Sequence, residues 1–162
     1  MSTLHSPARL SDLAHEHEEI RARLLICLDA IALGDAASSR GALARCTELL
    51  LAHAAAEDEH LIPLFVARGL ETSGCTAEIL GNDHRKLRKL LADLRALVPE
   101  PGEALPARQR VELVLGARGL LELLAHHDQR ERTAFFPALD AALTPEERSA
   151  LYALCARSQA KA

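Results

Sequence analysis

One layout is written twice in this chain. Residues 53–65 read HAAAEDEHLIPLF and residues 127–139 read HDQRERTAFFPAL. In each, a His is followed four residues later by a Glu and ten residues later by a Pro: His53, Glu57, Pro63, then His127, Glu131, Pro137. Both copies fall on the apolar stripe of a long helical pattern. A helix that buries a carboxylate needs something to neutralise it, and that restricts the fold more than any bulk property does.

Four such stripes run along the chain. The first reads His17, Ile20, Leu24, Cys27, Ile31, and the second reads Leu43, Cys46, Leu50, His53, Glu57, His60, Leu64. The third gives Leu80, His84, Leu87, Leu91, Leu94, and the fourth gives Leu113, Leu120, Leu124, His127, Glu131, Ala134. All follow the three-four spacing of a core-facing helix. Helices are expected over 11–33 (ended by Gly34), over 38–68 with Pro63 bending the last turns, over 75–98, and over 106–142 with another late Pro. A short fifth helix is expected over 145–158, with Thr144 as cap, Pro145 in the first position and Glu147 closing a capping box. Short connections between long helices make the expected fold all-α: an up-down-up-down antiparallel four-helix bundle with a short C-terminal fifth helix on one end. The 162 residues read as a single domain, 1–162, with its core over 10–142.

Composition narrows the function classes. Aromatics are scarce and the net charge is −4, with acids and bases interspersed, so neither nucleic acid nor an anionic membrane is an expected partner. The densest basic stretch, HRKLRK at 84–89, reads as a solvated helix face. No apolar run approaches a membrane span, and MSTLHSPARLSDL lacks the basic start and apolar middle of a signal peptide. A cytoplasmic location is expected. Cys27, Cys46, Cys75 and Cys155 are scattered without a CxxC pair and read as free thiols filling apolar space.

A metal is the economical partner for the seam carboxylates. No Lys or Arg interrupts the seams beside Glu57 or Glu131, so a buried salt bridge is not on offer. Residues four apart share a helix face, so each HxxxE aims a nitrogen and a carboxylate at one point. With antiparallel helices the two pairs face each other, and His17 and His84 close the remaining sides. Four His and two Glu exceed one tetrahedral ion. They suit two ions bridged by both carboxylates, about 3.5–4 Å apart, and the mixed ligand set suits iron. Seam phase favours His17 over His15, and the repeat favours His127 over His126. His60 is left as a further ligand or a supporting donor.

In chain order, EHEEIRARL, HAAAEDEHLIPLF, NDHRKLRKLL and HDQRERTAFFPAL resemble the hemerythrin-like (HHE cation-binding) domain family over about residues 10–142. The resemblance implies a four-helix bundle holding a non-haem di-iron centre that meets O2, NO or peroxide. Carried onto matching positions, the metal ligands would be His17, His53, Glu57, His84, His127 and Glu131. The implied cofactor is two iron ions with a bridging oxo or hydroxo group. Oxygen carriers of this kind place two His one turn apart on the third helix, whereas here Leu80 and Arg88 flank His84. The set is closer to the four-His, two-Glu centre of di-iron cluster-repair proteins, whose N-terminal cysteine-bearing segment has no counterpart before His17. The expected function is binding or reduction of a small diatomic or peroxide ligand, in sensing, scavenging or iron handling. A metal-responsive regulatory module and a metal-free helical scaffold are the alternatives, and whether the protein is an enzyme is left open.

Overall fold

The structure, a computed structural model, describes residues 9–100 and 102–159. The N-terminal stretch read for a signal peptide lies largely outside the described residues. A 3-10 turn (Leu10–Ala14) leads into α1 (His15–Leu33), and α2 (Ala36–Ala56) follows. One π turn (Glu57–Leu61) carries α2 into α3 (Ile62–Ala67). After α4 (Ala77–Leu97) comes α5 (Ala107–Arg130), which a second π turn (Glu131–Phe135) joins to α6 (Phe136–Ala142). The last helix, α7, spans Pro145–Gln159. The only pairing of β type among the described residues is an isolated bridge between Thr72 and Cys75. No helix among them is long and apolar enough to cross a membrane.

Local chemistry sets these boundaries. Gly34 ends α1 at φ 76°, with its N–H on the Ile31 carbonyl and the Asp35 N–H on that of Ala30, the paired bonds of a Schellman cap. Asp35 then accepts from the Ser38 amide at 2.9 Å, so α2 starts at Ala36, two residues before the expected 38. The Thr144–Glu147 capping box forms as the sequence indicates, with bonds of 2.8 and 3.2 Å. Neighbouring helices pack α1 on α2, α2 on α4, α4 on α5 and α5 on α1, closing a four-cornered bundle. His17 and His84 lie near the N-terminal ends of their helices, while His53 and His127 lie near the C-terminal ends of theirs. All four meet in one layer, so successive long helices alternate in direction.

Two apolar clusters fill the bundle. One holds Ile20, Leu24, Leu50, Leu87 and Leu124, and the other holds Leu10, Leu61, Phe65, Leu80, Phe135 and Phe136 under α7. On every long helix the polar seam residues fall between a member of the first cluster and a member of the second. All four cysteines are free and buried, as expected of apolar fillers. Burial pushes the Cys27 thiol up to about 11 and that of Cys46 to about 12.

The seam itself departs from a uniform period at one place in each copy of the repeat. Ile62 donates its N–H to the Glu57 carbonyl and Phe136 donates to that of Glu131, both five residues back instead of four. Pro63 and Pro137 sit just beyond. Each lacks an N–H, and in an ordinary α-helix its ring would collide with the carbonyl four residues earlier, so the wider turn accommodates it. One extra residue per turn slips the stripe. Leu61, Phe65 and Phe135 are buried where the uniform period had His60, Leu64 and Ala134, which are only partly buried.

Candidate metal centre

The six expected residues meet between the two apolar clusters, and every one of them is buried. His127 Nε2 lies 2.9 Å from Glu131 Oε1, and His17 Nε2 lies 3.3 Å from Glu131 Oε2. Glu57 points one oxygen at His53 Nε2 (3.5 Å) and the other at His84 Nε2 (3.3 Å). Each carboxylate therefore lies between imidazoles from different helices. The donor atoms form two overlapping groups: His17, His53, His127 and Glu131, then Glu57, His84, His127 and Glu131. His127 and Glu131 belong to both.

The imidazoles are aimed from behind. His17 donates from Nδ1 to Asp128 at 2.7 Å, His53 to Glu16 at 2.8 Å, and His84 to Asp58 at 2.7 Å. A proton held on Nδ1 leaves Nε2 as a lone pair facing the centre. The fourth link is looser. His127 Nδ1 lies 3.8 Å from Asp83, an ionic contact too long for a hydrogen bond, because Asp83 is drawn into close contact with Arg130. Arg132 similarly holds Asp128, and Arg88 holds Asp58, so part of the basic 84–89 stretch supports the site rather than only facing solvent. The four links make a cycle. α1 leans on an acid of α5, α5 on one of α4, α4 on one just past α2, and α2 on one of α1.

Several atoms in the layer lack what they need. Both oxygens of Glu57, both oxygens of Glu131, His84 Nε2 and His127 Nε2 are buried without a hydrogen-bond partner. His17 Nε2 and His53 Nε2 face each other at 2.7 Å. With both Nδ1 protons committed outward, these are two acceptors in contact, a repulsive arrangement unless a proton or a cation lies against both. Ligand atoms ~2.1 Å from one ion stand roughly 3 Å apart, so the spacing is close to that of a shared metal. The donor set and its unmet needs fit a cation.

Without metal the layer is a network of competing charges. Burial opposes charge on His53, yet the charges of Glu57 and Glu131, with the bond to Glu16, hold its pKa well above the ordinary value. Burial likewise opposes His127, but Glu131 and Asp83 carry it up to about 10. Burial and then the charge of Glu131 raise Glu57. Glu131 goes the other way: burial would raise it, but the charges of His127 and His17 hold it well below the usual carboxylate range. The split follows the geometry, since Glu131 has the closer imidazole.

The neighbours of these residues sit elsewhere. His15 and His126 are exposed, and the His15 ring lies 3.7 Å from the Glu18 carboxylate. His60, which the uniform period placed on the seam, is turned off it by the π turn, and the carboxylate nearest its ring is that of Glu59, at 4.0 Å. A cleft of about 260 Å³ opens between α1 and α5 beside His17, walled by Leu121, Leu124 and Ala125 and rimmed by Arg21 and Arg132. What sequence reasoning missed was the outer acids, Glu16, Asp58, Asp83 and Asp128.

Comparison with known proteins identifies a family. The model of the hemerythrin HHE cation-binding domain matches residues 8–139, and matches again over 75–157. Neither a search of the curated proteins nor one of the solved structures gives a match. The first match spans most of the chain, including all six seam residues, and the chain belongs to the hemerythrin HHE cation-binding domain family.

Proposed function

We propose that His17, His53, Glu57, His84, His127 and Glu131 hold two iron ions, with both glutamates shared between them, and that the centre binds or reduces a small ligand such as O2, NO or a peroxide. The observation carrying this reading is the set of four carboxylate oxygens without partners, flanked by inward-facing imidazole nitrogens from all four long helices. Two irons would supply a pair of redox-active ions with coordination positions left for the ligand. The chain's own residues do the rest. On His17, His53 and His84, Nδ1 bonds to the outer acids fix which nitrogen faces inward, and apolar layers above and below keep bulk water from the charged groups. The cleft beside His17 is the side from which a small molecule approaches. Leu80, in the position one turn before His84, is buried and offers no further donor, which favours a centre with room for exogenous ligands.

Metal analysis of iron-reconstituted protein tests the reading. Two irons per chain are expected, and Glu57→Ala and Glu131→Ala should each lose at least one. Full stoichiometry in both variants would sink the shared-carboxylate arrangement. Anaerobic mixing of the reduced protein with O2, NO and H2O2 then separates turnover from simple binding.

A further inference from the structure

α5 carries a second stripe, and it faces away from the core. Arg108, Val111, Leu115, Arg118 and Glu122 recur at three-four spacing on its outer side, and all are exposed. Val111, Val114 and Leu115 leave 59%, 41% and 64% of their surface in solvent. With Ala32 of α1 and the stem of Arg110 they line an apolar groove of about 370 Å³. Gly119 adds a second anomaly. A glycine inside a helix is less stable than alanine there by roughly 0.5–1 kcal/mol, and no close approach among the described residues explains it: apart from its chain neighbours and the backbone of its own helix, a Cβ added at Gly119 would meet none of their atoms within 4 Å. Gly116, one turn earlier, has an internal reason, because its Cβ would meet the Leu94 side chain at 2.9 Å.

The charges around this stripe are symmetric about Leu115. Arg108 pairs with Glu112 at 3.3 Å, and Arg118 pairs with Glu122 at 2.8 Å. Arg108 lies seven residues before Leu115 and Glu122 seven after it, while Glu112 lies three before and Arg118 three after. From this we infer that α5 is the contact of a two-fold homodimer, with a second copy of the helix laid antiparallel and the two Leu115 side chains meeting at the axis. In that register Arg108 stands level with Glu122 of the partner subunit and Glu112 with Arg118 of the partner subunit. Val111 stands level with Gly119 of the partner subunit, whose missing side chain leaves the space that Val111 fills. Sliding the pairing by one turn one way sets Arg108 against Arg118 of the partner subunit. Sliding it the other way sets Glu112 against Glu122 of the partner subunit. Both neighbouring registers are repulsive, so the charge pattern selects one, as flanking charges do in coiled coils.

The contact is independent of the metal centre. Leu115 precedes His127 by twelve residues, about 18 Å along the helix. Sedimentation of the full iron-loaded chain should give twice the 17.5 kDa chain mass at micromolar concentration. Leu115→Arg should halve that mass while leaving helicity and metal content unchanged, since the residue is exposed. Cysteine cross-linking tests the register, and the four native thiols are buried, so background is low. Leu115→Cys should cross-link to itself on mild oxidation. Val111→Cys should not, but mixed with Gly119→Cys it should. A mass of one chain at every concentration overturns the inference, as does a dimer that survives Leu115→Arg or self-linking of Val111→Cys. Capture of a different protein by this face in place of a second copy overturns it too.

Discussion

An imidazole free in solution rotates and carries its proton on either nitrogen; His17 does neither, because Asp128 holds its Nδ1 at 2.7 Å and Arg132 holds Asp128 in turn. Losing such a support typically weakens metal binding about 10–100-fold. Asp128→Ala should therefore lower metal affinity by that order, measured by competition with a chelator, while His15→Ala and His126→Ala at exposed positions leave it unchanged. The outer acids were present in the sequence without being conspicuous. Each stands beside a seam residue: Glu16 next to His17, Asp58 next to Glu57, Asp83 next to His84 and Asp128 next to His127. A step of one residue turns about 100° around a helix, so a stripe analysis discards those positions. They serve the neighbouring helix, and a pattern read along one helix does not contain that information. The protonation of the layer has its own consequence. In metal-free protein His127 titrates near 10 instead of 6.5. A raised imidazole stabilises the fold fully below its unfolded value, and that contribution is lost as pH climbs through the folded one. Metal-free protein should thus lose stability between pH 6.5 and about 10. Metal competes with the same protons, so its uptake should strengthen across that window and release protons. Denaturant titrations of both forms at several pH values check the sign, and a metal-free stability that rises across the window would contradict the assigned charges.

At the scale of elements, the two π turns separate what the chain displays from what it conceals. Both prolines were visible, and a uniform 3.6-residue period read them as bends. Their actual effect is to add one residue to a turn, which moves everything downstream by about 100°. The candidate ligand positions escaped this error because His53, Glu57, His127 and Glu131 lie before or at the start of each slip. His60, Leu64 and Ala134 lie after it and were misplaced. The residue that the slip brings inward after Glu131 is Phe135, fully buried and edge-on to Phe65 at 5.0 Å between ring centres. Phe135→Ala should cost roughly 3–5 kcal/mol, whereas Ala134→Gly, on the partly buried flank, should cost only about 1 kcal/mol as a helix-propensity effect. Denaturant midpoints with unchanged slopes would show it. Equal losses at the two positions would place the slip elsewhere. The helix order, the Gly34 stop and the Thr144–Glu147 cap were legible, because those residues act locally and need no knowledge of the neighbours, whereas the Asp35 cap, which starts α2 two residues early, was not read.

The whole molecule is two oily compartments with a charged floor between them. Six ionisable side chains sit in that floor, and their conflicts are unrelieved in the metal-free chain, so stability should be linked to metal. At a free metal concentration of 100 times the dissociation constant, linkage adds about 2.7 kcal/mol, which for a chain of this size is about 5–10 °C in Tm. Thermal melts of metal-free and iron-loaded protein measure this directly. Coincident melts at saturating iron would mean the floor is satisfied by protons alone. The floor is also circular, since each long helix contributes an imidazole and, on it or just past its end, an acid that stands behind the imidazole of the next. A ring has no first member and no last. Detach α5, and the site forfeits His127 and Glu131 outright, while His17, still in place on α1, is set adrift without Asp128. Three docked helices do not hold three quarters of a site. They hold one missing imidazole and one that no longer knows where to point.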